Sequence, residues 1–128
     1  MRGVPLAVSV TGGHRNDVTQ LIPLIDAIGP VAGKRGRPRK RPETLYGDRG
    51  YDHDKHRRLL RARGVRSRIA RRGQRHGSGL GKVRWVVERT FSWLHSLRRL
   101  RIRYERRGAL HMAFLSLGAA VICQRMLP

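Results

Sequence analysis

The sequence predicts an α/β domain in which short strands alternate with helices along 128 residues. Three segments with strand character, at residues 4–11, 43–47 and 65–70, are each followed by residues with helical spacing. The last of these helical patterns is long, about residues 82–104, and an apolar C-terminal helix that ends near Met126 comes after it. A chain of this length can form one small domain with a modest core.

The first strand is predicted from the alternation of side chains between the two faces of residues 4–11. A period of two with β-branched residues is typical of a strand. The next helix begins with Asn16 or Asp17 as its N-cap, and Asp17 with Gln20 fits a capping box. Pro23 lies inside this helix and is expected to kink or shorten it. The hydrophobic residues that follow the N-cap at helical spacing are Val18, Leu21, Ile22, Leu24, Ile25 and Ile28.

The second strand, residues 43–47, ends at Asp48. A helix that starts at Asp52 or His53 follows it and stops at Gly64. The third strand leads through a basic loop into the long helix, which presents one apolar stripe. The members of this stripe are Val83, Val86, Val87, Phe91, Leu94 and Leu97.

Gly108 separates the long helix from the last helix. The apolar stretch of that last helix, residues 109–123, is shorter than the about 20 residues that a membrane span needs. It therefore predicts a buried helix or an oligomer contact. Cys123 is the single cysteine, so no intramolecular disulfide can form, and its apolar neighbours predict a buried thiol. These features favour a soluble, cytoplasmic protein.

The charge balance predicts a polyanionic partner. The chain has 29 Lys and Arg residues against 8 Asp and Glu residues, for a formal net charge of +21. Release of counterions from phosphates would drive such binding and would make it sensitive to salt. An anionic membrane surface is the competing partner, but the sequence shows no long basic amphipathic helix suited to one.

Two basic loops contain the candidate DNA contacts. Residues 29–42 are rich in Pro, Gly and Arg, and residues 35–38 (RGRP) resemble the minor-groove clamp of an AT-hook. A solvated basic loop that contacts phosphates without reading sequence is the favoured interpretation, and minor-groove reading stays the alternative. The second loop is residues 71–81. The candidate contacts are Lys34, Arg35, Arg37, Arg39, Lys40 and Arg41 in the first loop, and Arg71, Arg72, Arg75 and Lys82 in or beside the second.

Asp48 and Glu88 are the carboxylates whose positions suit a metal site. Asp48 projects from a strand end, and Glu88 lies in the middle of the long helix at the edge of its apolar stripe, with Arg84 four residues before it. Two carboxylates from separate elements could hold a hard divalent cation such as Mg²⁺. The structural alternatives are that Asp48 is a turn residue and that Glu88 is one half of an ion pair with Arg84.

The remaining acids are interpreted as structural. Asp52 and Asp54 resemble acids of a first helical turn, and Asp17 resembles a cap. Asp26 and Glu105 are interpreted as surface charges. The six histidines show no zinc-ligand spacing with each other or with the cysteine.

Three segments resemble insertion-sequence DDE transposases. Residues 45–52 (LYGDRGYD) resemble the Y-A-D-(R/K)-G-Y segment that carries the second catalytic aspartate of that family. Residues 83–94 (VRWVVERTFSWL) resemble the R-x-x-x-E helix that carries its catalytic glutamate. Residues 5–13 (PLAVSVTGG), followed by an Asn-Asp pair, resemble its strand-to-helix segment. The likeness covers essentially the whole chain in the family's order.

This resemblance implies a partial ribonuclease H-like fold with a long C-terminal helix. It also implies Asp48 and Glu88 as Mg²⁺ ligands, with Mn²⁺ as a possible substitute, and Arg84 as the motif arginine beside them. The family often has a tyrosine seven positions before the glutamate and a lysine seven after it, where this chain has Gly81 and His95. These two departures concern DNA contacts and not the carboxylates.

The family's first catalytic aspartate sits on an earlier strand, which would lie before Met1 together with the N-terminal DNA-binding region. We therefore expect residues 1–128 to be an incomplete catalytic domain that acts on element ends and target DNA in the bacterial nucleoid. We expect it to be inactive alone and to need a transposase oligomer or an upstream-frame product. The alternative is a small basic nucleic-acid-binding protein without catalysis. For that alternative no aromatic stacking platform is evident, because Trp85 and Trp93 fit helix packing better.

Overall fold

The computed structural model describes residues 3–31, 36–75 and 79–126. They cluster into two compact units. One comprises Arg15–Lys82, and the other comprises Met1–His14 together with Val83–Pro128. Lys34 and Arg35, both predicted to contact DNA, lie outside the described residues.

The first unit begins with a 3-10 turn, Asp17–Gln20, that continues into helix α1, Leu21–Asp26. Asn16 is the N-cap, because its side chain accepts a hydrogen bond from the backbone N–H of Val18 at 3.2 Å. The prediction of Asn16 is confirmed, whereas the capping box with Asp17 as cap is wrong, since Asp17 lies inside the turn. Pro23 falls in the first turn of α1, where a missing N–H costs no helical hydrogen bond. Helix α1 is short, with six residues.

Two parallel strands and one helix form the centre of this unit. Strand β1, Thr44–Gly47, pairs in parallel with strand β2, Arg66–Ile69. Helix α2, Asp54–Ala62, connects them, as a parallel pair requires. The turn after α2 contains Gly64 with φ of +72°, a left-handed conformation that glycine adopts without strain. The predictions of both strands and of α2 are confirmed to within two residues at each end.

The core of this unit lies between α1, α2 and the sheet. Leu60 of α2 is completely buried, and it packs with residues of α1 and β2. The buried members of this core are Leu21, Ile25, Leu60, Val65 and Ile69, with Ile22, Leu45 and Tyr51 packed against them. Residues of strands and helices therefore meet here as the sequence pattern predicted.

In the second unit, helix α3 is shorter than predicted. It spans Leu80–His95, and a separate short helix, α4, spans Arg98–Arg101. Between them the backbone of Leu97 is extended, with φ −85° and ψ 113°, and the Ser96 hydroxyl donates to the carbonyl of Trp93 at 2.7 Å. A serine that bonds to the preceding turn competes with helix continuation. The predicted continuous helix to residue 104 is therefore wrong.

Residues 4–11 form no strand, which corrects the first element of the prediction. The carbonyl of Gly3 accepts a hydrogen bond from the Thr90 hydroxyl, and the thiol of Cys123 lies 3.8 Å from the carbonyl of Pro5. The segment is thus attached to helices of its own unit. A strand needs a hydrogen-bonded neighbour, and the described residues supply none to this segment, however strand-like its alternation.

The last helix, α5, spans Gly108–Arg125, so Gly108 begins this helix and does not merely precede it. Only Gly118 and Ile122 of α5 are buried, Cys123 is half-buried, and Leu110 and Leu117 are exposed. The interpretation of α5 as a buried helix is therefore wrong for most of its length, and the alternative, an oligomer contact, stays a prediction. With 18 residues, α5 is long and apolar enough to cross a membrane, judged by length and composition alone. These two properties are weak evidence for a membrane span, because helices that pack against protein share them.

Candidate functional site

Asp48 stands at the carboxyl ends of the two parallel strands. Gly47, the last residue of β1, pairs with Ile69, the last residue of β2, so both strands end at the same edge. Asp48 is the next residue along the chain after Gly47, as the sequence predicted. Side chains at this edge of a parallel sheet are the ones that usually form ligand sites.

The carboxylate of Asp48 is held by its own turn. It is the N-cap of a 3-10 turn, Arg49–Tyr51, and its Oδ1 accepts a hydrogen bond from the N–H of Gly50 at 2.8 Å. A Cβ at Gly50 would lie 2.9 Å from that same oxygen, so glycine allows the close approach. Asp48 is exposed, and its Oδ2 has no hydrogen-bond partner among the described residues. The turn therefore orients the carboxylate and leaves one oxygen available.

Tyr51 follows in the same turn and packs against the core of its unit. Burial raises the pKa of the Tyr51 hydroxyl, and the negative charges of Asp17 and Asp48 raise it further. A phenol beside two carboxylates stays protonated at neutral pH and can act only as a hydrogen-bond donor or neutral acceptor there.

The side chain of Asp52 connects the turn after β1 with the loop after β2 through hydrogen bonds. Its Oδ1 accepts hydrogen bonds from the guanidinium of Arg57, with Nε at 3.0 Å, and its Oδ2 accepts the backbone N–H of Arg72 at 2.7 Å. These hydrogen bonds lower the pKa of the Asp52 carboxyl. The bond from the Arg72 N–H has the largest effect, and the bonds from Arg57 have the next largest. The prediction of Asp52 as an acid of the first helical turn is wrong, because α2 begins at Asp54.

Further contacts join the same two segments. The Arg49 guanidinium donates to the carbonyl of Gln74 at 2.9 Å, and the Arg72 guanidinium donates to the carbonyl of Arg49 at 3.3 Å. Arg71 reaches the carboxylate of Asp54 at 3.4 Å. Residues 71–75, part of the second basic loop, are therefore held beside the turn that carries Asp48.

Glu88 lies on an exposed face of α3 and forms an ion pair with Arg84 at 3.0 Å. The side chain of Glu88 is 65% exposed and that of Arg84 is 72% exposed. Glu88 is therefore largely exposed at its position beside the predicted apolar stripe. Val87 and Phe91 of the predicted stripe are also exposed, and Leu94 is its buried member. The ion-pair alternative for Glu88 describes the observed contact.

An arginine lies between two tryptophans on the same helix. The Arg89 guanidinium carbon is 4.6 Å from the ring centre of Trp85 and 5.7 Å from that of Trp93. Trp85 is 45% exposed, so it does not serve only for helix packing as the sequence suggested. Such cation–π contacts restrain both rings and the guanidinium.

Asp48 and Glu88 belong to different compact units, and their convergence stays a prediction. Among the described residues no three His, Cys, Asp or Glu side chains gather in one cluster. Asp48 and Glu88 nevertheless offer exposed carboxylate oxygens, which are the donors that Mg²⁺ prefers. The donor chemistry of both residues fits a divalent cation.

The described candidates for DNA contact are exposed. In the first loop, an antiparallel bridge between Val31 and Arg39 closes the base, and the Arg41 guanidinium lies 3.5 Å from the carbonyl of Arg63. Gly36, in the segment similar to an AT-hook, has φ of +97°. The exposed candidates are Arg37, Arg39, Lys40, Arg41, Arg71, Arg72, Arg75 and Lys82. Their contacts with DNA stay predictions.

His53 and His56 approach each other at the start of α2, with ring centres 5.7 Å apart. Burial lowers the pKa of the His56 imidazole, and the neighbouring His53 and Lys55 lower it further. The Nδ1 atom of His56 is buried without a hydrogen-bond partner among the described residues. The lowered pKa and the unpartnered Nδ1 both favour the neutral form of the ring.

Sequence reasoning missed two sets of residues. One is the Asp52–Arg57 pair, whose five-residue separation crosses the start of a helix and gives no standard signal. The other is a group of arginines on α2 and β2. Their spacing was visible in the sequence, because Arg57 and Arg61 are four apart on a helix and Arg66 and Arg68 are two apart on a strand. Such spacing places each pair on one face.

Known proteins resemble the chain over most of its length. A family model described as "Transposase DDE domain" matches residues 1–123. A Burkholderia cepacia protein named as a transposase for insertion sequence element IS402 is 62% identical over 121 residues, which cover 94% of this chain. The chain spans 57% of the length of that relative. No solved structure matches the chain.

Proposed function

Because the chain belongs to the transposase DDE domain family, we propose that it acts in DNA transposition, as the C-terminal part of an insertion-sequence transposase's catalytic domain. The proposed reaction is metal-dependent cleavage at the ends of the element, followed by transfer of the freed strand to target DNA. The proposed location is the bacterial cytoplasm, where nucleoid DNA is the substrate. The proposed fold is the C-terminal portion of a ribonuclease H-like domain.

The position of Asp48 carries this proposal. It follows β1 at the carboxyl end of a parallel strand pair, its turn holds Oδ1, and Oδ2 is available. This position matches the aspartate of the family segment to which residues 45–52 are similar. An acid used only as an N-cap would need one accepting oxygen. The exposed second oxygen and the edge position are what a metal ligand requires.

Glu88 is proposed as the second carboxylate. Its ion pair with Arg84 is exposed on both sides, and exposed pairs of this kind contribute little to stability. The pair can therefore exchange partners at small cost, so that Glu88 binds a cation while Arg84 turns to a phosphate oxygen. These 128 residues then supply two of the three carboxylates that the family's site uses.

A bound pair of divalent ions would activate the attacking water or 3′-hydroxyl and offset charge on the leaving oxygen. The residues of this chain have separate tasks. The 3-10 turn holds the Asp48 carboxylate in one orientation, and Glu88 adds a second charge for the ions. Arg84 offers a guanidinium that suits a phosphate in bidentate geometry. Exposed arginines of residues 71–75 would position the DNA backbone beside Asp48.

The test uses a full-length chimera in which the upstream part of the Burkholderia relative precedes these 128 residues. Its substrate is labelled duplex DNA that carries an element end, with Mg²⁺ or Mn²⁺ present. We expect Asp48→Asn and Glu88→Gln each to reduce cleavage at least about 1000-fold, because each removes a charge for the ions while keeping the shape. Asn can still cap the turn, so Asp48→Asn separates the cap from the charge.

Glu43→Gln and Asp54→Asn serve as matched controls, since both remove one exposed carboxylate that is paired with an arginine. We expect both to cleave within about threefold of the unmodified chimera, a range typical of surface changes. Cleavage at an undiminished rate by the Asp48→Asn chimera would overturn the assignment. We further expect the isolated 128-residue chain not to cleave, and efficient cleavage by it would contradict the proposed division of carboxylates.

The second candidate, a basic DNA-binding protein without catalysis, is favoured by the net charge of +21 and by the Arg84–Glu88 pair. Under that function neither acid substitution changes any DNA-dependent property much. Reversal of the charges of residues 36–41 would then dominate DNA affinity. The chimera experiment separates the two functions, because only the enzyme loses cleavage while keeping DNA affinity.

A further inference from the structure

A groove lined by arginines runs along the free edge of β2. Strand β2 pairs with β1 on one side only among the described strands, and residues of α2 line the groove together with residues of β2. Five of the eight residues that line the groove are arginines. The complete lining is Arg57, Arg61, Gly64, Val65, Arg66, Ser67, Arg68 and Arg71. Four of these arginines lie outside the basic loops that the sequence singled out.

The arginines of the groove differ in how they are neutralised. Arg57 is held, because it binds Asp52 and also donates to the carbonyl of Ile69 at 2.9 Å. Arg66 and Arg71 form exposed pairs with Glu43 and Asp54. The three carboxylates involved are the only acids that contact the groove's arginines in the described part of the chain.

Arg61 and Arg68 are exposed and have no carboxylate partner in the described part of the chain. Arg61 lies on α2 and Arg68 on β2, and both line the groove. Positive charges gathered in one concave surface repel each other, and no described carboxylate offsets these two. An anionic ligand would remove that repulsion.

The spacing of the arginines suits a ligand with closely repeated charges. Arg66 and Arg68 are about 7 Å apart along a strand, and Arg57 and Arg61 are about 6 Å apart on a helix. Each strand of duplex DNA carries one negative charge per about 3.4 Å of the helix axis, so a single backbone segment can meet several guanidinium groups at once. Guanidinium groups also bind phosphate oxygens in a bidentate manner.

We propose that this groove, the β2 arginine groove, binds the phosphodiester backbone of duplex DNA, with Arg61 and Arg68 as its main phosphate contacts. The proposal rests on the proposed action of the chain on DNA, and it adds a backbone-binding site to that function. Arg57 and Arg71 line the groove and contact Asp52 and Asp54, which lie in the segment that follows Asp48. A backbone seated in the groove would therefore extend towards the turn that carries Asp48.

Protection of a strand edge is the competing role for these arginines. Charged side chains on an edge strand prevent it from pairing with a strand of another molecule. That role explains Arg66 and Arg68 on β2, but it does not explain Arg61 on α2. The two roles predict different consequences of charge removal, namely weaker DNA binding or self-association.

The experiment measures binding of the 128-residue chain to a fluorescein-labelled duplex of arbitrary sequence by fluorescence anisotropy, in EDTA, over a series of KCl concentrations. The variant is Arg61→Ala with Arg68→Ala. The matched control is Arg15→Ala with Arg58→Ala, which removes the same charge from exposed positions of the same unit outside the groove. Far-UV circular dichroism checks that each variant is folded.

We expect the groove variant to bind at least about tenfold more weakly near 0.1 M salt, with the slope of log K against log[salt] shallower by about 1.8, since each phosphate contact contributes about 0.9. The control is expected to change affinity by less than about threefold. Arg61→Lys with Arg68→Lys should restore the slope, because lysine keeps the charge. Equal losses in the groove variant and the control would overturn the proposal, because the effect would then be one of net charge.

Self-association of the groove variant on size-exclusion chromatography, with unchanged DNA affinity, would also overturn the proposal and assign edge protection instead. This assay tests DNA binding by the groove separately from the proposed catalysis, because EDTA removes divalent ions and so prevents metal-dependent cleavage. Asp48→Asn is expected to bind DNA in this assay at least as well as the unmodified chain.

Discussion

The carboxylate of Asp52 accepts a hydrogen bond from the backbone N–H of Arg72 at 2.7 Å. Twenty residues separate the two along the chain, and each lies just beyond the end of one of the two parallel strands. The Arg57 guanidinium binds the other oxygen of the same carboxylate, which is only 11% exposed. This acid therefore helps to hold a basic loop beside the turn of Asp48.

We expect Asp52→Asn to loosen residues 71–75 without unfolding the chain. The amide keeps one acceptor oxygen but loses the charge that strengthens both hydrogen bonds. Hydrogen–deuterium exchange followed by mass spectrometry should show faster exchange in the peptide that contains Arg72. Asp54→Asn is the control, since Asp54 is 74% exposed and its ion pair with Arg71, at 3.4 Å, is exposed on both sides. Unchanged exchange in the Asp52 variant would show that the loop is held by other contacts.

The stability of the unit Arg15–Lys82 is expected to fall in acid. The pKa of Asp52 is lowered mainly by the Arg72 N–H, and that of Asp26 mainly by its hydrogen bonds with Arg63. A depressed carboxyl pKa stabilises the folded state above the ordinary value, 3.8, and this contribution is lost as the pH falls through the folded pKa. Urea midpoints measured from pH 7 to pH 3 should decline below about pH 4.

The doubly substituted chain Asp26→Asn with Asp52→Asn provides the comparison for this acid dependence. It should be less stable at pH 7 and should show a smaller decline between pH 5 and pH 3, because two titrating groups are gone. Parallel acid profiles for both proteins would show that other carboxylates cause the loss. Glu43→Gln, which removes a carboxylate that is 70% exposed, should leave the profile unchanged.

Leu60→Ala is expected to destabilise the chain by about 2–5 kcal/mol, the usual effect of deleting a buried leucine side chain. Leu60 is completely buried where α1, α2 and β2 meet, so neighbouring elements cannot close the cavity easily. Chemical denaturation monitored by circular dichroism measures the loss. Leu110→Ala, at a 48% exposed helical position, should change the free energy of unfolding by less than about 0.5 kcal/mol. Similar effects of both substitutions would contradict the described core.

Gly118→Leu is expected to destabilise the packing of α5 against α4 by about 1–3 kcal/mol. A Cβ at Gly118 would lie 2.7 Å from Leu100 Cδ1 and 2.9 Å from Leu97 Cδ1, so a larger side chain must displace both leucines. Gly81→Leu is the matched control on α3, because a Cβ there meets nothing within 4 Å. Urea denaturation of both variants compares them. Tolerance of leucine at position 118 would mean that α4 does not pack at this point.

Elements that depend on neighbouring residues were predictable from the sequence. Strands β1 and β2 and helix α2 were located because their periodicity, the N-terminal acid Asp54 and the glycine at position 64 are local signals. The same signals placed Asp48 at a strand end. The family resemblance of the segments around Asp48 and Glu88 is likewise a property of the sequence, and the family comparison confirms it.

Elements that depend on distant partners were predicted wrongly or missed. Residues 4–11 have the alternation of a strand, but alternation cannot provide the neighbouring strand that a sheet requires. The apolar composition of α5 predicted burial, although only two of its residues, Gly118 and Ile122, are fully buried in the described structure. The break of the predicted long helix at Ser96 and Leu97 also escaped the pattern, because apolar spacing continues across it.

By itself the sequence determined the order of β1, α2 and β2, the family, the positive charge and the place of Asp48 at the end of a strand. Only the tertiary structure decided that Asp52 binds Arg72, that Leu97 and Leu100 pack closely against Gly118, and that the arginines of α2 and β2 line one groove. The physical reason is that periodicity and capping depend on residues that are close in sequence. A hydrogen bond between loops or a groove instead requires segments that are distant in sequence to come together when the chain folds.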